Sequence, residues 1–89
     1  MNSEANPQVI AEINKIFVDL FEVAPEKLHP EVKLYEDLGL DSIDAIDMIV
    51  SFEKKFQIRP PNEELQKIRK LSDVYSLVNR YANERLDQA

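Results

Sequence analysis

Apolar residues recur at steps of three and four along most of the chain, so helices are its expected elements. In the first segment Val9, Ile10, Ile13, Ile16, Phe17, Leu20 and Phe21 form one broad stripe, which predicts a helix from about Pro7 to Glu22. Asn6 suits the N-cap position, and Pro7 the first helical position, where its missing N–H is not needed. Pro25 stops any long continuation. A second stripe of Met48, Ile49, Phe52 and Phe56 predicts a helix from about Ser42 to Phe56. Asp41 stands where its cap belongs. Asp44 falls in its first turn and Lys54 and Lys55 in its last, each at the end where the helix dipole favours that charge. Arg59-Pro60-Pro61 closes the helix. Asn62 is then expected to cap a short helix over about Glu63–Ile68. Ser72 is expected to cap a last one running to about Glu84, with Val74, Tyr75, Leu77, Val78 and Tyr81 as its apolar set.

Between the first two helices lies a long connection, from Val23 to about Asp41. Pro25, Pro30 and Gly39 prevent it from being one helix. Its apolar residues Val23, Leu28, Val32, Leu34, Tyr35, Leu38 and Leu40 are too many for a free linker. The connection is therefore expected to pack onto the helices, with a short helical turn near Glu26–Leu28 or Leu34–Asp37. The result is an all-α fold: a small four-helix bundle of three main helices and one short one, with a long first loop. A length of 89 residues makes it a single domain, with 1–5 and 86–89 expected to be flexible ends.

Charge changes this picture more than composition does. The net charge is −6 and its placement is uneven. Residues 36–53 hold Glu36, Asp37, Asp41, Asp44, Asp47 and Glu53 with no Lys or Arg. Residues 54–80 hold Lys54, Lys55, Arg59, Lys67, Arg69, Lys70 and Arg80 against Glu63, Glu64 and Asp73. An acidic stretch repels nucleic acid and attracts basic protein surfaces. There is no cysteine, so neither disulfides nor thiolate metal sites hold the fold, and a cytoplasmic location is expected. No signal peptide and no membrane span is read from the sequence. The single glycine argues against a glycine-rich phosphate loop.

Two chemical readings fall away on spacing. His29, the only histidine, lies between Leu28 and Pro30, with nothing to pair it with a serine and an acid as a triad requires. It reads as a surface loop residue. Asp37, Asp41 and Asp44 do not follow the alternation of an EF-hand loop, which also needs a glycine at its sixth position, so no metal is assigned.

The informative segment is Asp37-Leu38-Gly39-Leu40-Asp41-Ser42-Ile43-Asp44-Ala45-Ile46-Asp47. A serine opening a helix presents its hydroxyl beside unpaired backbone N–H groups, where a phosphodiester gains hydrogen bonds and a favourable dipole. Gly39 can supply the tight turn that leaves the serine exposed. The competing reading of Ser42 is a plain capping hydroxyl, which would not also call for the residues around it.

This segment resembles the attachment site of the acyl carrier protein family, Asp-Leu-Gly-x-Asp-Ser-Leu followed by an acidic helix. The resemblance spans nearly the whole chain. Val23-Ala24-Pro25-Glu26 is similar to the end of the family's first helix, and Leu34–Gly39 to its loop. Phe52-Glu53-Lys54-Lys55-Phe56 matches the close of its second helix, and Asn62–Ile68 its short third helix.

The resemblance implies that Ser42 carries a covalent 4′-phosphopantetheine arm from coenzyme A, with Asp41 and Gly39 shaping the attachment site. The chain is then a non-catalytic carrier, modified by a phosphopantetheinyl transferase. Acyl intermediates ride as thioesters on the arm, for fatty acid, polyketide or related specialised lipid biosynthesis. Ile43, Asp44, Ile46, Asp47 and Val50 are the implied recognition residues, apolar contacts beside carboxylates that meet Arg and Lys. The partners are acyl-processing enzymes (synthases, reductases, dehydratases and transferases) with basic docking surfaces, and the carrier is expected to be a monomer. The competing reading of Ile43, Ile46 and Val50 is ordinary core. Lys54, Lys55, Arg59, Pro60, Arg69 and Lys70 depart from the pattern of fatty acid carriers and leave room for a specialised pathway. Two alternatives stay open: an aminoacyl or peptidyl carrier using the same arm, and a carrier-like interaction module that is never modified.

Overall fold

The computed structural model describes residues 6–88, with side chains as far as Ala82. Its elements are α1 (Pro7–Phe21), a 3-10 turn (Pro25–Lys27), α2 (Ser42–Phe56), α3 (Asn62–Leu65) and α4 (Leu71–Gln88). The all-α bundle with a long first loop is thus observed, among the described residues, as the periodicity predicts. Residues 1–5 and 89, where flexible ends are expected, lie outside the described residues. The backbone of 86–88 continues α4, past the end expected at Glu84.

α1 starts where Asn6 and Pro7 predict. The Asn6 side chain accepts the Gln8 N–H at 2.7 Å. The Asn6 N–H in turn donates to Asn79 Oδ1 at 2.9 Å, fastening the start of α1 to α4. The helix stops one residue before Glu22, which takes a left-handed conformation (φ 57°) and gives its N–H to the Val18 carbonyl at 3.0 Å. The α1 stripe buries Ile13 and Phe17 completely. Leu20, expected on that stripe, is 43% exposed, while Phe21 beside it packs against the core.

The helices run antiparallel in pairs. Lys55 of α2 reaches Glu12 of α1 at 3.1 Å, and the Phe17 and Phe52 rings meet near mid-helix with centroids 6.2 Å apart. α4 runs against α1 as well, since Tyr75 OH donates to Asn14 Oδ1 while Asn79 meets Asn6. Between them lies one core of Ile13, Phe17, Met48, Phe52, Leu71, Val74, Tyr75, Leu77 and Val78, closed by Val32, Leu34, Leu40, Ile58 and Ile68. Burial pushes the Tyr75 phenol above its ordinary value.

Two caps differ from expectation. α3 begins at Asn62 itself, so Asn62 is not its cap. The extended Pro61 precedes it, and the Pro61 carbonyl accepts the Glu64 and Leu65 N–H groups at 3.0 and 3.3 Å. α3 also ends early, at Leu65, and the Arg69 guanidinium takes up the Gln66 and Ile68 carbonyls at 2.7 and 2.9 Å. α4 begins at Leu71, ahead of Ser72. The first α4 N–H groups, at Leu71 and Ser72, go to the Val32 and Pro30 carbonyls, while Asp73 Oδ2 accepts the Arg69 and Lys70 N–H groups at 2.9 and 3.0 Å. Arg80 joins Glu64 at 2.9 Å and so pins α3 to α4, and this hydrogen bond holds the Glu64 carboxyl below its usual range.

The connection packs as its apolar content requires. Val32, Leu34 and Leu40 are buried, whereas Tyr35 is 43% exposed. Periodicity gives no sign of the device that fixes it: an isolated antiparallel bridge pairs Lys33 with Lys70. Leu34 N–H donates to the Arg69 carbonyl, Leu71 N–H to Val32 and Ser72 N–H to Pro30, each at 3.0 Å. His29 is exposed on this connection.

Candidate functional site

The segment Lys33–Leu40 winds into a closed turn that delivers the chain to α2. Asp37 Oδ2 accepts the Lys33 N–H at 2.9 Å, and the Asp37 N–H returns to the Lys33 carbonyl at 2.9 Å. Asp37, to which the sequence assigns no role of its own, is therefore the tie that closes the turn. Gly39 sits at φ +72°, and a Cβ built there meets nothing within 4 Å. The glycine is thus required by the backbone and not by crowding. Leu40 then plugs into the core, 8% exposed, which sets the direction in which Asp41 and Ser42 emerge.

Asp41 caps α2 reciprocally. Its Oδ1 accepts the Asp44 N–H at 2.9 Å, and Asp44 Oδ2 accepts the Asp41 N–H at 3.2 Å. This is a capping box with aspartate at both ends. It gives Asp44 a structural duty beside the recognition role expected of it, and it leaves that side chain half-buried. Because Asp41 does the capping, the Ser42 hydroxyl is not needed for it. Ser42 is exposed at the first position of α2 and has no side-chain hydrogen-bond partner among the described residues. Beside it an open cleft is lined by Leu20, Phe21, Glu22, Leu38, Gly39, Leu40 and Asp44.

The rest of α2 divides cleanly by face. Met48 and Phe52 are buried, and Ile49 and Phe56 pack against them. Ile43, Ile46 and Val50 are 69, 62 and 42% exposed, so the ordinary-core reading of these residues does not hold. Asp47 is exposed with them. The first half of α2 thus offers one solvent-facing strip of apolar and acidic side chains that starts at the serine. Among the described residues no group of three or more His, Cys, Asp or Glu side chains is placed to hold a metal ion.

A small helical bundle that holds a bare serine hydroxyl at a helix mouth, above an apolar strip that no described residue covers, has the architecture of a carrier domain. Comparison with known proteins makes this specific. Residues 11–78 match the family model described as "Phosphopantetheine attachment site". The acyl carrier protein of Thermosynechococcus vestitus is 33% identical over 72 residues, covering 81% of this chain and 89% of that one. That of Wolinella succinogenes is 38% identical over 66 residues, covering 74% and 87%. The crystal structure of the acyl carrier protein from Thermotoga maritima superposes with a TM-score of 0.75 at 33% identity, covering 88% of this chain and 91% of that one. The chain belongs to the acyl carrier protein family. Proteins of this family are carriers rather than catalysts, and their attachment domain bears covalent 4′-phosphopantetheine. No described helix is long and apolar enough to cross a membrane.

Proposed function

We propose that Ser42 receives the 4′-phosphopantetheine arm, and that the loaded protein shuttles acyl intermediates as thioesters for fatty acid, polyketide or related specialised lipid biosynthesis. The observation that carries this reading is the state of the Ser42 hydroxyl, exposed at the opening of α2 and relieved of capping by Asp41. The surrounding groups fit a phosphodiester. The N–H groups of Ser42 and Ile43 have no acceptor among the described residues, and helix geometry aims them out of the α2 mouth. The carboxylates of Asp41 and Asp44 oppose a further negative charge there, but Asp41 is exposed to water and Asp44 partly so, which screens the opposition.

Each residue then has a task. Gly39 makes the turn, Leu40 anchors it, Asp41 holds the helix end and Ser42 contributes the ester oxygen. When bound, the arm supplies the thiol that this cysteine-free chain lacks. A phosphopantetheinyl transferase performs the attachment from coenzyme A. Ile43, Ile46 and Val50 dock on acyl-processing enzymes, with Asp47 and the outer edge of Asp44 meeting Arg and Lys on them. Contacts of this kind give fast, salt-sensitive and modest affinity, which a shuttle needs in order to leave again. The working form is a cytoplasmic monomer.

The test is direct. Incubated with coenzyme A, magnesium and a broad-specificity phosphopantetheinyl transferase, the protein gains the mass of one arm, and Ser42→Ala gains none. An unchanged wild-type mass rules the reading out. Charging of the holo form by acyl-loading rather than aminoacyl-adenylating enzymes separates the acyl from the peptidyl carrier.

A further inference from the structure

The exposed strip of α2 does not end at Val50. Steps of four, three and four residues carry Ile43 to Asp47, Val50 and Lys54, so Lys54 lies in the middle of the same face. It is exposed and forms no ion pair among the described residues. Its neighbours are accounted for. Lys55 turns towards α1, where Glu12 holds it at 3.1 Å, and Glu53 is half-buried at the far margin of the strip. Lys54 is therefore the one free cation of this face among the described residues, on a surface otherwise apolar and acidic.

Distances along the helix make this charge readable by a partner. Lys54 lies about 18 Å from Ser42 and about 10 Å from Asp47 along the axis, at roughly 1.5 Å per residue. Screening falls off over about 8 Å at physiological ionic strength, so groups pressed onto Asp47 and onto Lys54 are sensed separately. A groove basic along its whole length gains at Asp47 and is repelled at Lys54.

We infer that Lys54 is a specificity-determining residue of the docking face. It admits partner enzymes whose carrier groove turns from basic near the arm to acidic about 18 Å away, and it rejects grooves that are basic throughout. The inference rests on the carrier reading given above. It commits the partner to a carboxylate opposite Lys54, because a like charge pressed against it there is the repulsive element that discrimination between partners needs.

The experiment uses the full chain, loaded on Ser42 and charged with an acyl group. The probe is a condensing enzyme whose carrier groove is lined by Lys and Arg along its length. For Lys54→Glu the value of kcat/KM rises about 5- to 10-fold, through KM with kcat unchanged, and high salt erases the gain. Lys54→Gln gives a smaller gain in the same direction, and Lys54→Arg gives none. Lys15→Glu, an equal change of charge at an exposed α1 position, also gives none. A carboxylate introduced into the probe's groove opposite position 54 restores the wild-type chain and cancels the gain of Lys54→Glu. Equal KM values for Lys54, Gln and Glu, or an equal response to Lys15→Glu, overturn the inference. Thermal melts of each variant show that the comparison is between folded proteins. Failure to load Ser42 sinks the carrier reading together with the inference. Normal loading with no effect at position 54 sinks the inference alone.

Discussion

Asp41→Ala tests the account of the α2 mouth most directly. The substitution removes the acceptor of the Asp44 N–H at 2.9 Å and leaves that donor at an exposed helix end. Loss of such a cap costs about 1 kcal/mol, and loss of a carboxylate beside the helix N-terminus costs roughly 0.5 kcal/mol more at a solvated site. With an unfolding entropy of about 2.1 cal/mol/K per residue, a loss of about 1.5 kcal/mol lowers Tm by roughly 8 °C for a domain of this size. Asp41→Asn keeps an oxygen acceptor and loses only the charge, so its Tm falls by about 3 °C. Asp44→Ala removes only the weaker return bond at 3.2 Å and falls in between. Far-UV circular dichroism melts at neutral pH read all of these. An Asp41→Asn protein that melts as low as Asp41→Ala would refute the hydrogen-bonding role. An Asp41→Ala protein that melts with wild type would refute the cap altogether.

Two further results are expected. Tyr75 has its phenol raised above the ordinary value near 10 by burial, so the folded chain holds that proton to higher pH than the unfolded one does. Its contribution to stability is complete below about pH 10 and is lost as pH rises through the folded value. Denaturant titrations of Tyr75→Phe should show about 1 kcal/mol less stability at neutral pH, from the lost bond to Asn14, and a shallower alkaline decline. A decline as steep as wild type would exclude Tyr75 as its source. At two of the three left-handed positions among the described residues, Glu22 and Gly39, the signs are opposite. Glu22→Gly should stabilise by about 1 kcal/mol by relieving a side chain at φ 57°, and Gly39→Ala should destabilise by about 1–2 kcal/mol at φ +72°, both read as shifts in Tm.

The parts of this molecule that were legible in the sequence are those where a local rule acts alone. Asn6 and Pro7 mark the start of α1, and Asp41 the start of α2, because a cap depends on its own next three residues. The three-four spacing of Ile13, Phe17, Met48 and Phe52 marks the buried faces. Rules of this kind fail where a group is satisfied from a distance. The first N–H groups of α4, at Leu71 and Ser72, are taken by the Val32 and Pro30 carbonyls far back in the chain, so no cap by Ser72 is needed there. Nothing local distinguishes Leu34 from Tyr35, and only the pairing of Lys33 with Lys70 decides which of them faces the core. At the site the motif marks the turn at Gly39, which takes φ +72°, and the start of α2 at Asp41 and Ser42. The double use of Asp44 had a signal of its own, since Asp41-x-x-Asp44 has the spacing of a capping box. The four-three-four spacing that brings Lys54 into line with Ile43 was equally present in the chain. Its meaning needed the exposures, because a lysine near a helix C-terminus is already explained by the dipole.

The clasp between Asn6 and Asn79 decides how this domain can be handled. It lies at the pole where α1 begins and α2 ends, about 20 Å from the serine by the length of α2. α4 runs on beyond it, so the described residues both start and finish at the end facing away from the serine. A fusion partner, an affinity tag or a surface anchor joined directly ahead of Asn6 or after the last turn of α4 should therefore sit behind the carrier, leaving its loading pole unobstructed.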